Sequence, residues 1–323
     1  MKNSLKTAKD CVHCGVCRNN CDFLTKYGID IGDTDRLKEL AYHCFLCGKC
    51  TEVCPIHIDG RAEVISLRRE YAEEHMHELE DKYKGAFGEK RNYKFRNWSH
   101  VTEGCIFFPG CNFPSLFPKT SDKLSKIFAE HGIGTVYDCC GKPVAELGSI
   151  SDEERIIREI QERLKENNIT EIILACPNCW GHFGDRLGVK TTTVFAKLKE
   201  LGIGESIEGD IKFFMPCPDR LSGHWAEDIR PFITGDVSFI EGVQCCGLGG
   251  HAGHVEPELS QGFADRIKEN KEAQVYAYCA SCTGRLKRNG FDSIDHILTK
   301  IVGTDEKPCT KTSYLNRVAT KYK

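Results

Sequence analysis

The segments CIFFPGC at residues 105–111 and IKFFMPC at residues 211–217 decide the fold of this chain. Each is a short apolar run that ends at a cysteine, Cys111 or Cys217. In both cases 27 residues separate that cysteine from a Cys-Cys-Gly sequence, and a Cys-x-x-Cys pair follows later. Self-similarity of this kind predicts two consecutive copies of one structural unit.

Apolar runs alternate with helical patterns in both copies. We predict strands at residues 105–108, 135–138, 171–175, 211–214, 237–240 and 273–278, and helices at 121–131, 152–167 and 258–271. This alternation is typical of small α/β units with parallel strands. The cysteines fall at or just after the strand ends, where open α/β sheets place ligand-binding loops.

A different pattern precedes the repeat. Two runs of the form C-x2-C-x2-C-x3-C are bordered by predicted helices at residues 33–42 and 58–74. The expected fold class is therefore an N-terminal α-helical ferredoxin-like domain followed by a tandem repeat of small α/β domains. The expected boundaries are 1–75 for the helical domain, 76–104 for a linker, 105–209 and 210–303 for the two repeats, and 304–323 for a basic tail.

Composition excludes several classes of protein. The 323 residues carry a formal net charge of -3, which argues against a dedicated nucleic-acid binder because such proteins rely on excess Lys and Arg. No apolar run approaches the roughly 18 residues that a transmembrane helix needs, which leaves only peripheral membrane association open. The first residues show no apolar segment of a secretory signal. Clustered, reduced cysteines predict the cytoplasm of an organism with anaerobic metabolism.

The first eight cysteines carry the bacterial ferredoxin spacing, in which three cysteines of one run bind a cubane [4Fe-4S] cluster and the fourth crosses to the other cluster. This rule predicts one cubane on Cys11, Cys14, Cys17 and Cys54, and a second on Cys44, Cys47, Cys50 and Cys21. Zinc is the alternative, but it prefers tetrahedral sets of four ligands. The nearby His13, His43 and His57 are expected to be surface or loop residues.

Each repeat offers five cysteines, one more than a cubane needs. The two sets are Cys111, Cys139, Cys140, Cys176 and Cys179, and Cys217, Cys245, Cys246, Cys279 and Cys282. The residues alone leave two interpretations open: an unusual iron–sulfur cluster in each repeat, or an ordinary cluster or zinc site with a spare cysteine. Glycines after the pairs are expected to give backbone room for the group; they are Gly141, Gly247, Gly249 and Gly250. Cys105 is an alternative first ligand, and Cys309 is expected to be a free thiol.

The duplicated cysteine pattern, with FFPGCNFPSLFP at 107–118, CPNCW at 176–180 and CCGLGG at 245–250, resembles the CCG domains of heterodisulfide reductase and its relatives. The resemblance runs from Cys11 to about Val302. It implies a C-type ferredoxin unit fused to a B-type tandem CCG unit, as in D-type subunits. It also implies a noncubane [4Fe-4S] cluster on each set of five cysteines.

The function implied by this resemblance is an iron–sulfur oxidoreductase, acting within a complex, that relays electrons through two cubanes to two noncubane clusters. These would reduce a small disulfide or a similar acceptor, with His251 and His254 as candidate proton donors and His182 as a further pocket residue. The chain has no flavin or nicotinamide motif, so the expected donor is a flavoprotein or ferredoxin. The alternative is an electron-transfer subunit of a flavoprotein dehydrogenase of the glycolate, lactate or glycerol-phosphate type, which passes electrons to a quinone or another protein.

Overall fold

The computed structural model describes residues 6–269 and 274–323, and it begins with a helical unit. The helices of this unit are α1 (Val16–Asn19), α2 (Asp22–Tyr27), α3 (Thr34–Glu39), α4 (Lys49–Val53) and α5 (Gly60–Lys82). The predicted helices at 33–42 and 58–74 correspond to α3 and α5. The Asp59 carboxylate accepts a hydrogen bond of 3.0 Å from the Ala62 N–H and caps α5.

A small apolar core holds the first unit together between its cysteine loops. The core is formed by Phe23 and Leu24 of α2, Leu37 of α3, Ile58 just before α5 and Val64 of α5. Several of the cysteines lie within this core. The short helices are therefore stabilised by their shared core, since isolated helices of five or six residues are not stable in water.

Residues 76–104 do not form the linker that the sequence predicted. Helix α5 continues to Lys82 with a change of direction at His75, and α6 (Lys84–Lys90) follows it. Strand β1 (Asn97–His100) then joins the first sheet. The charges that resembled a solvated linker are paired with carboxylates of the next unit, as in the 2.8 Å contact of Arg91 with Asp152.

The first sheet has strand order β1-β3-β2-β4-β5. The other four strands are β2 (Gly104–Phe108), β3 (Gly134–Tyr137), β4 (Ile169–Leu174) and β5 (Lys190–Thr193), which run parallel, while β1 is antiparallel to β3. The helices around this sheet are α7 (Phe113–Leu116), α8 (Pro118–Glu130), α9 (Lys142–Ala145), α10 (Ile150–Glu166), α11 (Pro177–Phe183) and α12 (Val194–Glu200). The central strands β2 and β4 are almost wholly apolar because helices cover both faces of the sheet.

The second sheet has strand order β7-β6-β8-β9, and all four strands are parallel. They are β6 (Ile211–Phe213), β7 (Val237–Phe239), β8 (Val275–Ala277) and β9 (Ile294–His296), with helices α13 (His224–Ile229), α14 (Pro257–Glu269), α15 (Ala280–Arg288) and α16 (Ile297–Ile301). The order repeats that of β3-β2-β4-β5. The two sheets therefore share one strand order over four strands. The predicted limits Lys271 and Ala273 lie outside the described residues.

Two parallel strands were missed by the sequence reading, one at the end of each sheet. These are β5, with the sequence KTTT, and β9, with the sequence IDH. Their polar residues interrupt the apolar pattern that marks a strand. Asp295 of β9 nevertheless has a partner, since Lys307 pairs with its carboxylate.

The C-terminal residues, predicted as a separate basic tail, pack on the first sheet unit. Helix α17 (Ser313–Ala319) packs against α7. Arg317 donates a hydrogen bond of 2.5 Å to Glu89 of α6. The Glu306 carboxylate accepts hydrogen bonds from the backbone N–H groups of Lys119 and Thr120 at the start of α8. The tail is therefore part of the folded unit, and three of its basic residues, Lys307, Arg317 and Lys323, pair with carboxylates of preceding segments.

Arg68 of α5 joins the three units. Its side chain is fully buried, and its guanidinium donates hydrogen bonds to four backbone carbonyls, those of Ala41, Cys44, Glu146 and Gly250. Two of these belong to the helical unit, one to the first sheet unit and one to the second. A buried cation satisfied in this way fixes the relative positions of the segments that it contacts.

Candidate metal centre

The two ferredoxin-type runs adopt the same loop geometry. His13 and Gly15 have left-handed backbone (φ +51° and +72°), and Leu46 and Gly48 repeat this at the same positions of the second run (φ +53° and +72°). Glycine is suited to such a turn because it has no Cβ. Each glycine is followed at once by a short helix, α1 or α4, so three cysteines of each run are held on one compact turn.

The structure groups the first eight cysteines into two sets of four. One surface hollow is lined by Cys11, Cys14, Cys17 and Cys54, which we call the first set. The Cys50 thiol lies among Cys44, Cys47 and Cys21, and these four form the second set. Cys14 is exposed, whereas Cys50 is half-buried and has Cys17 as a more distant neighbour. The first set is therefore the outer one, and the second is the inner one.

The ten cysteines of the two repeats form two matching chains of thiol contacts. In the first sheet unit Cys111 contacts Cys139, Cys139 contacts Cys140, Cys140 contacts Cys179, and Cys179 contacts Cys176. In the second unit the same order runs through Cys217, Cys245, Cys246, Cys282 and Cys279. We call these the third and fourth sets. The strand ends explain their convergence, since parallel strands deliver their following loops to one edge.

The third and fourth sets face each other across one cavity of about 460 Å³. The cysteines that line it are Cys111, Cys140, Cys176, Cys179, Cys217, Cys245, Cys246 and Cys282. The two sets also meet directly, since Cys176 contacts Cys279 and Asn178 Nδ2 lies 3.2 Å from Cys279 Sγ. A small molecule in this cavity would touch sulfur-bearing loops of both sheet units at once.

A further thiol contact links the inner ferredoxin-type set to the fourth set. Cys47 contacts Cys245, and a hydrogen bond from Cys245 lowers the pKa of the Cys47 thiol to about 6. The helical unit thus adjoins the second sheet unit through cysteines that belong to two different sets. This gives the eighteen clustered cysteines a linear order from the exposed first set to the cavity.

The donor chemistry fits iron–sulfur clusters. All 20 cysteines are free thiols, and the sets are largely buried. Hydrogen bonds from Cys139 and Cys179 lower the pKa of Cys140 to about 5, while burial raises that of Cys44 to about 11. Crowded thiols of this kind cannot all ionise unless a cationic core compensates their charge, and thiolates are the ligands that iron–sulfur clusters use.

Two glycines leave room beside sulfur. A Cβ on Gly32 would lie 2.8 Å from Cys11 Sγ, and one on Gly60 would lie 2.7 Å from Cys50 Sγ. Both separations are shorter than real contacts, so these positions exclude a side chain next to the first and second sets.

The four glycines predicted to lie beside the cofactor also leave room for neighbouring segments of the protein. A Cβ on Gly141 would meet Ile156, and one on Gly247 would meet Ser260. On Gly249 and Gly250 it would meet the carbonyls of Phe45 and Cys44. Gly249 also lines the cavity. These glycines allow close packing of the cysteine loops on neighbouring segments, and the last two bring the second sheet unit onto the second cysteine run.

The predicted histidines occupy different surroundings. His251 and His254 line the cavity, and burial lowers the pKa of His251, whose Nε2 lies 3.1 Å from the Pro143 carbonyl. His182 is not among the cavity residues; it is buried beside Glu153, and burial lowers its pKa to about 3. His43 lies 2.6 Å from Glu256, and His13 lies 3.1 Å from Asp30.

The two remaining cysteines lie apart from the four sets. Cys105 is on β2 beside Glu171, and burial raises its pKa to about 12. Cys309 is half-buried in the C-terminal segment, where its backbone N–H donates to the Leu116 carbonyl. Neither contacts the cavity cysteines, which supports Cys111 as the first member of the third set.

Charged and amide residues beside the cysteines were missed by the sequence reading. Lys90 lines the cavity, and the thiolates of Cys111 and Cys139 raise its pKa although burial opposes this. Arg220 and Gln244 lie between the second and fourth sets. No local pattern marks them, because their partners are distant in sequence.

Comparison with known proteins agrees with this arrangement of cysteines. Residues 7–58 match the family of 4Fe-4S dicluster domains, and residues 105–184 match the family of cysteine-rich domains called CCG. The protein is therefore an iron–sulfur electron-transfer protein in which a dicluster domain precedes a CCG region. This confirms the resemblance to heterodisulfide reductase-like iron–sulfur proteins.

The chain is related in particular to the B subunit of a fumarate reductase (CoM/CoB) from Methanothermobacter marburgensis, with 23% identity over 87% of this chain and 68% of that protein. Two uncharacterized iron–sulfur proteins are also similar. That of Methanococcus maripaludis is 22% identical over 79% of this chain and 58% of its own length. That of Methanocaldococcus jannaschii is 23% identical over 84% and 64%. The chain thus spans about three fifths to two thirds of these relatives.

A solved structure of allantoin racemase from Klebsiella pneumoniae matches 64% of this chain and 86% of its own, at 13% identity and a TM-score of 0.25, and this likeness supports no argument. Among the described residues no helix is long and apolar enough to cross a membrane.

Proposed function

We propose that this protein is an iron–sulfur oxidoreductase subunit that carries electrons to a cavity where a disulfide, or a similar two-electron acceptor, is reduced. The observation that carries the proposal is the convergence of the third and fourth cysteine sets on one cavity of about 460 Å³. A site lined by two equivalent metal-binding loops suits a substrate with two equivalent reacting atoms. The two sulfurs of a disulfide meet this condition.

The proposed cofactors are two cubane [4Fe-4S] clusters on the first and second sets, and a noncubane [4Fe-4S] cluster on each of the third and fourth sets. The second sheet unit, 210–303, is proposed as a second CCG domain beside that of 105–209. Its support is the shared strand order and the matching chain of thiol contacts. When bound, these clusters supply one-electron transfer.

The order of the sets suggests a direction for electron flow. Cys14 is exposed and offers a contact for a donor, whereas Cys47 and Cys245 join the inner cubane set to the cavity. We propose a ferredoxin or flavoprotein subunit as the donor. The relative is a named subunit of a reductase, which supports a role within a complex.

Disulfide reduction needs two electrons and two protons. The S–S bond breaks, each sulfur accepts one electron and one proton, and two thiols leave. The residues that line the cavity would hold the disulfide between the two sheet units. His251 and His254 are the proposed proton donors, because both line the cavity and their rings stack at a centroid distance of 6.5 Å.

The alternative is a relay subunit that passes electrons from a flavoprotein dehydrogenase to a quinone or another protein. The exposed outer set and the assignment of the relative to a larger enzyme favour it. In this case the cavity would lie between the clusters of the third and fourth sets without binding a thiol. Cytoplasmic location is our expectation in both cases.

The deciding experiment uses the full chain, prepared and reconstituted without oxygen. Iron content and paramagnetic resonance spectra test the four clusters. The protein is then given a low-potential electron donor and either a simple disulfide or the mixed disulfide of CoM and CoB. The latter is included because CoM/CoB is part of the relative's name. Thiol production, and a cluster signal that shifts with added thiol, would support the reductase. Four assembled clusters that respond to no tested thiol or disulfide would favour the relay.

A further inference from the structure

Gln244 lies at the junction of the second and fourth cysteine sets. It is buried, and its side-chain Oε1 accepts a hydrogen bond of 2.8 Å from the Asp22 N–H. Its Nε2 lies 3.4 Å from Cys21 Sγ and 3.9 Å from Cys47 Sγ. Since a backbone N–H can only donate, the Asp22 contact fixes the amide oxygen on that side. The amide NH₂ must therefore face the two sulfurs.

The position of Gln244 in the chain adds to this geometry. It directly precedes Cys245, which contacts Cys47. One two-residue segment of the second sheet unit thus reaches the inner ferredoxin-type set twice, through an amide donor and through a thiol. No other described amide side chain donates to a sulfur of the second set.

Arg220 holds this segment in place. Its Nη2 donates a hydrogen bond of 2.5 Å to the backbone carbonyl of Gln244, and its Nη1 donates one of 2.9 Å to the Glu52 carboxylate of α4. Its guanidinium also interacts with the thiolates of Cys47 and Cys217. A cation and an amide donor are therefore both directed at the gap between the second and fourth sets.

N–H donors aimed at ligand sulfurs stabilise the more negative, reduced state of an iron–sulfur cluster and raise its reduction potential. We propose that Gln244, held by Arg220, is a positioning residue that raises the reduction potential of the inner cubane and thereby makes it the acceptor of electrons from the outer cubane. This rests on the proposed function, because it takes the second set to hold a cubane. Gln244 touches no substrate and acts only through the cluster ligands.

The test compares wild-type protein with Gln244→Leu and Gln244→Glu in anaerobic redox titrations followed by paramagnetic resonance. Leucine removes the donor, whereas glutamate keeps an acceptor for the Asp22 N–H and places an oxygen where the donor was. We expect the midpoint of one cubane to shift to a more negative potential in both variants. We also expect loss of an exchangeable-proton coupling from that cluster. Gln161→Leu, on the exposed side of α10, is the matched control and should leave both readouts unchanged.

Unchanged midpoints and proton couplings in both variants, at wild-type iron content, would overturn the inference. If Gln244→Leu fails to assemble its clusters, Gln244→Glu decides alone. The experiment distinguishes failure of the proposed function from failure of the role of Gln244. Wild-type protein without two cubane signals would refute the proposed function, whereas wild-type cubanes with unshifted variants would refute only the role of Gln244.

Discussion

At the scale of single residues, the buried polar side chains decide which segments can approach the cysteines. Arg68, Gln244 and Glu256 are each buried, and each bonds to segments far away in the sequence. A sequence-based reading finds cysteine ligands by their spacing. It cannot find these three residues, because a lone Arg, Gln or Glu in a helix or loop is ordinarily exposed.

Replacing Arg68 with leucine should strongly destabilise the protein. Four backbone carbonyls would lose their donor inside the structure, and removing one partner of a buried charged network costs about 3–5 kcal/mol. We expect a clear fall in the urea midpoint of the cluster-containing protein. Arg158→Leu, on the exposed face of α10, should change it little. Equal midpoints for the two variants would contradict the role assigned to Arg68.

His296 should make stability depend on pH. It is fully buried between Phe113 and Phe117, and burial lowers its pKa to about 3. In the unfolded chain the ring takes up a proton below about pH 6.5, but the folded protein keeps it neutral. Stability is therefore complete above pH 6.5 and is lost as the pH falls from there toward 3, by about 1.4 kcal/mol at pH 5.5.

The measurement for His296 compares urea midpoints at pH 7.5 and 5.5. His296→Asn keeps an acceptor for the Leu298 N–H and removes the titrating ring, so its midpoint should fall less than that of wild type. His100→Asn replaces an exposed histidine and should follow wild type. A parallel fall in all three proteins would show that another group is responsible.

At the scale of elements, the strands and helices with apolar faces were predictable, and those stabilised by long-range polar contacts were not. Strands β2, β4 and β6 and helices α8, α10 and α14 carry clear patterns of apolar residues. Strand β1, with the sequence NWSH, has no such pattern, because it is an edge strand whose outer face is exposed. Helix α17 also lacks a clear apolar pattern, and the basic residues around it led to the prediction of a tail.

Strand β1 should depend on a glycine in its neighbour. A Cβ on Gly134 of β3 would overlap the His100 carbonyl, which is backbone and cannot swing aside. Gly134→Ala should therefore separate β1 from the sheet and cost about 1–3 kcal/mol. Faster amide exchange at residues 97–102 would reveal this. Gly88→Ala, in the open surroundings of α6, should instead stabilise that helix by roughly 0.5–1 kcal/mol. Unchanged exchange in Gly134→Ala would refute the contact.

At the scale of the whole molecule, helix α5 packs on the first sheet unit, whereas the cysteine runs of the helical unit contact the second. Glu256 accepts hydrogen bonds of 2.6 Å from Lys26 and Tyr27, and His43 lies at the same distance. The cysteine spacing predicted that two repeats would follow a dicluster domain. It could not predict that the inner cysteine run lies against the second repeat, since that contact depends on dispersed polar residues.

Glu256→Gln should loosen this attachment without removing any cysteine. The buried carboxylate would become a neutral amide facing Lys26, and a hydrogen bond to a charged group contributes about 1.5–3 kcal/mol. Amide exchange should rise in residues 22–27 and 41–46. Glu258→Gln, which is exposed on α14, is the control. A variant with wild-type protection of these segments would show that Glu256 does not hold the units together.

The exposure of Cys14 has a consequence for how the protein would fail in air. In the proposed arrangement the outer cubane has the most exposed ligand among the described cysteines of the four sets, so dioxygen should attack it first. Briefly aerated protein would then keep much of its iron and its brown colour. It would nevertheless be inactive, because electrons from the donor could no longer enter through the outer cubane.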